Sequence, residues 1–430
     1  VASALGIALV ACGGGGDAAG PTAAAAHQQT PAAASGVKAT STEQLIAATQ
    51  AHLRIAPGDV QALDTLAAAY LQRVREVGDP SFYAKADDLL GSALRLSPND
   101  GEATLLSGSL ALARHRFTDA LAWGQKAAAL DPHGAGPLGV ITDAQVELGR
   151  YDDAVITVQH MVDVRPDLAS YSRVSYLREL HGDTDGAITA MRMAVTAGGP
   201  VAENVAYVQV LLGNLSFNRG DLAAAEEQYQ AALRQDPGYV NAEAALARVR
   251  AAQGRLGEAT TLYRSAVSAY PLPQYVIALG DVLTASGDVQ GAAQQYDLAA
   301  AEQRLLSSTG GVDVDQELAL FDADHHRDLP GALAAAQRAM RDRPSVQSAD
   351  ALAWTLFQGG DPRAALDATR SAHRLGTRDA LFFFHTGMIE AALGMNAPAR
   401  DDLSTALSIN PFFSVLQSGV ARATLEGLSR

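Results

Sequence analysis

Proline recurs along this chain at the interval of a helical hairpin. Pro98, Pro132, Pro166 and Pro200 are each 34 residues apart, and the same spacing separates Pro237 from Pro271. Near the end, Pro411 closes a further segment, with Thr377 standing 34 residues before it. Each proline follows an apolar stretch, and proline lacks both the N–H and the room needed to continue a helix. A fixed period of this size means one supersecondary unit repeated, each copy too small to bury its own apolar face and stable only when stacked on its neighbours. A single hydrophobic core is not the organising principle, and 430 residues exceed what one core usually spans.

Composition decides which element fills the period. The chain is alanine-rich with only 6% aromatics, which favours helices that approach closely and disfavours sheet. Small and aromatic residues return in step, clearest in Gly213, Gly220, Ala225, Tyr229, Ala232 and Pro237. Equivalent sets are Gly280, Gly287, Ala292, Tyr296 and Ala299, then Gly387, Gly394, Ala399, Ala406 and Pro411. The segments Gly254, Ala259, Tyr263, Ala266, Pro271 and Gly149, Ala154, Pro166 follow suit. Small residues let two antiparallel helices nest, and glycine ends the first in a left-handed conformation. Acidic residues before the second helix, such as Asp119, Asp152, Asp153 and Glu258, complement its positive end and are solvated caps, not catalytic pairs.

This pattern resembles the tetratricopeptide repeat. The resemblance implies an all-α chain folded as an α–α superhelix, a solenoid of about ten helix pairs closed by a capping helix. A leading half repeat and about seven repeats are expected over residues 42–306, and about three more over 314–411. Between them Ser307, Ser308, Thr309, Gly310 and Gly311 interrupt the helical pattern, so residues 307–313 are expected to form a break or hinge. Pro57 and Pro98 stand seven residues further apart than the period, which lengthens the first full repeat around residues 75–82, and the repeat ending near Pro200 is out of phase by one residue at Ala187. Residues 412–430 read as a helix covering the exposed end of the array.

The amino-terminal segment carries a different signal. Residues 2–11 form an apolar run ending in Leu9, Val10, Ala11 and Cys12, too short to span a bilayer. These four residues resemble a bacterial lipobox, and the resemblance implies that residues 1–12 are the remnant of a signal peptide and that Cys12 carries a diacylglycerol. No lysine or arginine precedes Cys12 and Val1 stands in place of methionine, so the charged start of such a signal is expected to lie outside this sequence. Two acyl chains give stable attachment where one does not. Residues 13–41, poor in large apolar side chains, read as a flexible tether holding the array roughly 30 Å from its anchor. The expected location is the bacterial cell envelope, facing away from the cytoplasm.

Chemistry is harder to find. With 47 acids against 32 bases the chain carries a net charge of −15, which repels nucleic acid and anionic headgroups. No H-E-x-x-H, no G-x-S-x-G and no Gly-Lys phosphate loop occurs, and the only thiol is Cys12. Neither a catalytic residue nor a cofactor is expected. The tightest polar cluster is Asp322, Asp324, His325, His326 and Asp328. Neighbouring residues on a helix diverge by about 100°, so His325 and His326 cannot share an ion unless the chain turns there. The repeat frame puts an inter-helix turn at that point, favouring a solvated turn over a metal or small-ligand site built on Asp322, His325 and His326.

Family resemblance also implies a recognition surface. In tetratricopeptide repeats the first helix of each pair lines the concave face, which on the matched repeats selects Tyr207, Val210, Asn214, Phe217 and Asn218. It then selects Gln274, Ile277 and Asp281, followed by Trp354 and Phe357, and by Phe384 and Met388. Aromatics supply contact area at low entropy cost, and amides can pair with an extended backbone, so the mixture suits protein or peptide partners. The branch of the family that clamps the carboxyl end of chaperones needs basic neighbours beside a residue like Asn214; here that neighbour is Val210. A scaffold or adaptor binding envelope proteins is the function expected, with the membrane reached only through the anchor at Cys12.

Overall fold

The computed structural model of the chain describes residues 41–199 and 201–429; Cys12, residues 13–40 and Pro200 lie outside them. Among the described residues every regular element is a helix. Helix α1 (Thr42–Ile55) leads, and hairpins follow from α2 (Val60–Val77) with α3 (Ser81–Leu96), α4 (Gly101–Ala113) with α5 (Phe117–Leu130), and α6 (Ala135–Glu147) with α7 (Tyr151–Val164). The next are α8 (Leu168–Leu180) with α9 (Thr184–Ala197), α10 (Ala202–Asn218) with α11 (Leu222–Gln235), and α12 (Val240–Ala252) with α13 (Leu256–Ala269). After α14 (Pro273–Ala285) with α15 (Val289–Leu305) come α16 (Asp315–Asp324) with α17 (Leu329–Asp342). The array ends with α18 (Val346–Gln358) and α19 (Pro362–Ala372), α20 (Ala380–Ala392) and α21 (Asn396–Ile409), and a last helix, α22 (Gln417–Leu428). Ten pairs and a terminal helix form the all-α superhelix that the repeat pattern predicts.

Each hairpin is built by the recurring residues. Ala225, Ala232, Ala259, Ala266, Ala299, Ala399 and Ala406 have no exposed surface, so the second helix of each pair lies against its partner without an intervening large side chain. At Gly213 a Cβ would collide with the ring of Tyr229, which explains why glycine and tyrosine recur together there. The turn between the two helices is equally regular. A residue with positive φ stands at all ten: Gly78, His115, Gly149, Gly182, Gly220, Gly254, Gly287, His326, Gly360 and Gly394. Histidine occupies two of these places, with φ of 57° at His115 and 49° at His326, conformations that cost L side chains free energy and are tolerated singly. The second helices start on aspartates whose side chains accept a backbone N–H, as at Asp183, Asp221, Asp288, Asp328 and Asp361. Where arginine stands at that place instead, the expected caps Asp119, Asp153 and Glu258 also accept hydrogen bonds from Arg116, Arg150 and Arg255 at 2.7–2.8 Å.

The superhelix winds tightly enough for successive turns to touch. Val346 donates its N–H to Tyr151 Oη at 2.9 Å, Gln347 Nε2 donates to Tyr176 Oη at 3.0 Å, and Asn410 Nδ2 donates to the Phe217 carbonyl at 2.9 Å. Thr377 Oγ1 likewise donates to the Leu180 carbonyl, and Arg374 reaches the carbonyl of Pro344 at 2.9 Å and that of Gly149 at 3.5 Å. Most partners along this seam are 193 to 198 residues apart, with Gln347 and Tyr176 closer in sequence at 171 and Arg374 and Gly149 further at 225, so fewer than six hairpins complete one turn. Gly149 shows why the seam tolerates no side chain at its turn: φ is 67° and a Cβ would run into the Pro344 carbonyl.

The interruption in the period falls on the same seam. Helix α15 continues into one π-helical turn, Leu306–Gly310, and residues 312–314 then run against the α4–α5 turn. Asp313 donates its N–H to the Arg114 carbonyl at 3.1 Å, and its own carbonyl accepts from His115 Nδ1 at 2.6 Å, which requires the Nδ1–H tautomer. Each such bond contributes about 1 kcal/mol net, and an apolar cluster that joins Val146, Tyr151, Leu177 and Leu180 to Val346, Ala349 and Phe382 closes the same seam. Replacing Thr377 with Val and Asn410 with Ala together should enlarge the radius of gyration in small-angle X-ray scattering while circular dichroism stays helical. Unchanged dimensions would mean that the pitch is set within the hairpins alone.

Candidate functional site

Closure of the coil encloses a cavity of about 2680 Å³ along its inner face. Register explains what lines it. In seven of the ten hairpins the residue six places before the turn residue faces inward from the first helix, as Gln72, Asp143, Tyr176, Asn214, Arg248, Asp281 and Leu320 on the cavity wall; in the other three it is Ser109, Trp354 and Met388, which do not line the cavity. The aromatic of the repeat signature fixes two of these side chains. Tyr229 covers Gly213 and donates its hydroxyl to Asn214 Oδ1 at 2.8 Å, while Tyr296 covers Gly280 and donates to Asp281 Oδ1 at 2.9 Å.

All eight residues selected on α10 and α14 touch the cavity: Tyr207, Val210, Asn214, Phe217 and Asn218 from the first, Gln274, Ile277 and Asp281 from the second. Val210 and Phe217 offer little surface, however, at 6% and 1% exposure, and the Arg248 guanidinium lies 3.6 Å above the Phe217 ring. Asn218 accepts from Arg248 at 3.0 Å and donates to Glu179 Oε1 at 3.2 Å.

Trp354, Phe357, Phe384 and Met388, selected for the same concave face, are not on the cavity wall. Helix α22 folds back over the last hairpins, where Trp354 and Phe384 are buried in one apolar cluster with Leu403, Phe413 and Ala421, and half-buried Phe357 and Met388 pack against it. Gln417 of α22 donates to Asp324, which also accepts the indole N–H of Trp354, both at 2.8 Å. Trp354 is only 3% exposed and stacks on His385, which sits 3.0 Å from both Asp350 oxygens.

The aspartate and histidine turn also resolves. His325 caps α16 and points inward, its ring 4.1 Å from that of Tyr296 and its Nε2 3.4 Å from Asp281. Burial pushes its pKa down to about 4, so it is neutral. His326 is the exposed turn residue, Asp328 caps α17 through the Gly331 N–H, and Asp322 is buried. The two imidazoles therefore diverge, and among the described residues no three His, Cys, Asp or Glu side chains come together as a metal site.

Charge distribution was not legible in the repeats that matched the family pattern. Arg173 pairs with Asp143 at 2.6 Å, Arg343 with Glu317 at 3.0 Å, and Arg75 with Glu203 at 3.5 Å, all on the cavity wall. Burial raises the Glu317 carboxyl, but Arg343 and His115 outweigh it and the net shift is downward. Among the described residues Glu147 and Glu179 form no ion pair, and burial pushes both up to about 7, in Glu147 against the opposing charge of Arg343. Asp64 and Asp281 are likewise pushed up to about 7 by burial. The signal that finds Asp143, Tyr176 and Arg248 is the count back from the turn, but the α8–α9 repeat is out of phase and its aromatic is missing, so the family positions did not reach it.

Raised carboxyl pKa values make stability depend on pH in a definite direction. Between their unfolded value near 4 and the folded value near 7 these acids bind more protons when folded, so stability falls as pH rises through that window. His115 and His325, lowered by burial, act oppositely but only below about 6.5. The melting temperature should accordingly be higher at pH 6.5 than at pH 8, and Glu147→Gln should flatten that slope in calorimetry.

Comparisons with known proteins come to the same repeat. The family profile described as tetratricopeptide repeat matches residues 71–135, 210–272 and 244–304. The anaphase-promoting complex subunit 7 of Arabidopsis thaliana is 26% identical over 151 residues, 35% of this chain; the match spans about a quarter of that relative's length. Similar solved structures include a thermophilic tetratricopeptide repeat protein from Thermus thermophilus, at 22% identity and a TM-score of 0.39, covering 44% of this chain and 98% of that one. The Cut9–Hcn1 hetero-tetramer of the anaphase-promoting complex is another, at 14% identity and a TM-score of 0.38, covering 90% and 93%. Three stretches that match the repeat's own profile, within ten helix pairs nested on small residues, show tetratricopeptide repeats in this chain.

Proposed function

We propose that the chain is a protein-binding scaffold whose recognition surface is the inner face of the coil. The observation that carries this reading is the row of side chains contributed by consecutive first helices, from Gln72 to Leu320, on one continuous cavity wall. Such a wall offers amides, tyrosines and charges at regular spacing, which suits an extended polypeptide better than a compact metabolite. The Arabidopsis relative is by name a subunit of a multi-protein complex, in keeping with an assembly role. We read the chain as non-enzymatic, because helical repeats account for nearly all of its described residues and no nucleophile, base and orienting group were found converging in them. The divergent His325 and His326 side chains give no support to the metal or small-ligand alternative at Asp322.

The scaffold is proposed to sit on the outer side of a bacterial cytoplasmic membrane or in the periplasm, held by a lipid on Cys12 and assembling envelope proteins. Support for this part is the run Leu9, Val10, Ala11, Cys12 alone. Crosslinking in intact cells followed by mass spectrometry should recover reproducible envelope proteins, and recovery of none would refute the scaffold. Labelled palmitate should be incorporated by the native chain and lost in Cys12→Ser; labelling that survives the substitution would remove the anchor and leave the scaffold standing.

A further inference from the structure

We infer that the lumen of the coil receives an extended, positively charged polypeptide segment of another protein. This deepens the scaffold reading and rests on it. The first observation is charge. Sixteen acidic side chains line the cavity against eight arginines and no lysine. Asp143, Glu203 and Glu317 are already matched to Arg173, Arg75 and Arg343, whereas Glu147, Glu179, Asp236 and Asp379 have no ion-pair partner among the described residues. Glu179 is held by an amide, Asn218, and Asp379 by a backbone N–H, neither of which neutralises it. Carboxylates confined in a narrow, protein-walled space attract cations more strongly than those on an open surface and repel anionic chains.

Unpaired polar atoms on the same wall are a second, independent observation. Asp64 is 6% exposed and its Oδ1 has no hydrogen-bond partner; Gln303, 2% exposed, lacks a partner at both Oε1 and Nε2, and Asn204 lacks one at Oδ1. All three line the cavity. Buried polar groups are otherwise almost always paired, and a peptide backbone supplies both the donors and the acceptors these atoms lack. A small polyamine would supply donors only and leave Gln303 Nε2 unpaired.

Size and aromatic content point the same way. The cavity, at about 2680 Å³, is well beyond the 300–1,000 Å³ of sites for single small molecules. Tyr176, Tyr207, Tyr239, Tyr263 and Tyr275 lie on its wall, and ring faces within about 6 Å of a guanidinium or ammonium add cation–π attraction. Charge selects arginine or lysine, amides select a backbone, and volume selects a polymer.

At pH 8, where Glu147 and Glu179 are mostly ionised, the full chain should therefore bind a fluorescein-labelled twelve-residue peptide of alternating arginine and alanine, read by fluorescence anisotropy, and should not bind the same peptide with glutamate for arginine. The double variant Glu147→Gln, Glu179→Gln, which removes buried charge without removing volume, should weaken binding at least fivefold with unchanged circular dichroism; Glu147→Gln alone serves if the double variant misfolds. Asp185→Asn, on the outer surface, should leave binding unchanged. The inference is overturned if the arginine peptide does not bind, if the glutamate peptide binds as well, or if the lumen variants bind undiminished. Displacement by spermine at concentrations as low as those of the unlabelled peptide would assign the lumen to small polycations and overturn it too. Crosslinked partners that survive the lumen substitutions would overturn this inference while keeping the scaffold, whereas the absence of any partner would remove the scaffold itself.

Discussion

Every level of this structure depends on how closely two helices of one hairpin can approach. Alanines without exposed surface and a glycine beneath a tyrosine ring bring the pair together, and a left-handed residue reverses the chain between them. Because the same small residues recur from pair to pair, the small rotation from one hairpin to the next accumulates into a coil. A bulky side chain at any one of these contacts would alter the pitch for everything that follows.

Regular accumulation has a consequence that no single hairpin shows. Fewer than six pairs complete a turn, so the helix-pair turns of the first half meet the inter-repeat connections of the second. Hydrogen bonds and a shared apolar cluster there convert an open groove into a lumen. Enclosure in turn changes the electrostatics. Glu147 and Glu179 would be ordinary solvated carboxylates on an open ribbon; surrounded by neighbouring hairpins they lose hydration and their pKa values rise. The tyrosine of the repeat signature links packing to recognition, since the ring that covers Gly213 or Gly280 also fixes the adjacent Asn214 or Asp281 by its hydroxyl.

Legibility followed the repeat. Asn214, Asn218 and Asp281 were reachable because their hairpins keep the glycine and the aromatic. Asp143 and Tyr176 were not, because the second helices of their hairpins lack that aromatic, and Arg248 was missed although its hairpin keeps Gly254 and Tyr263; the turn residue six places later marks all three. The repeat frame located the turn at His326, but not the left-handed conformation that histidine adopts there and at His115 in place of glycine. Trp354 and Phe384 had the right place in the repeat and the wrong surroundings, since α22 lies where a ligand would.

Local spacing alone determined that the chain is helical, that its helices come in pairs, and how many pairs there are, because those properties depend on contacts between residues a few turns of helix apart. Pitch, closure and the sign of the lumen's charge were decided only by the folded coil. They arise from groups almost two hundred residues apart whose meeting depends on small rotations summed over several hairpins, and no stretch of sequence contains that sum.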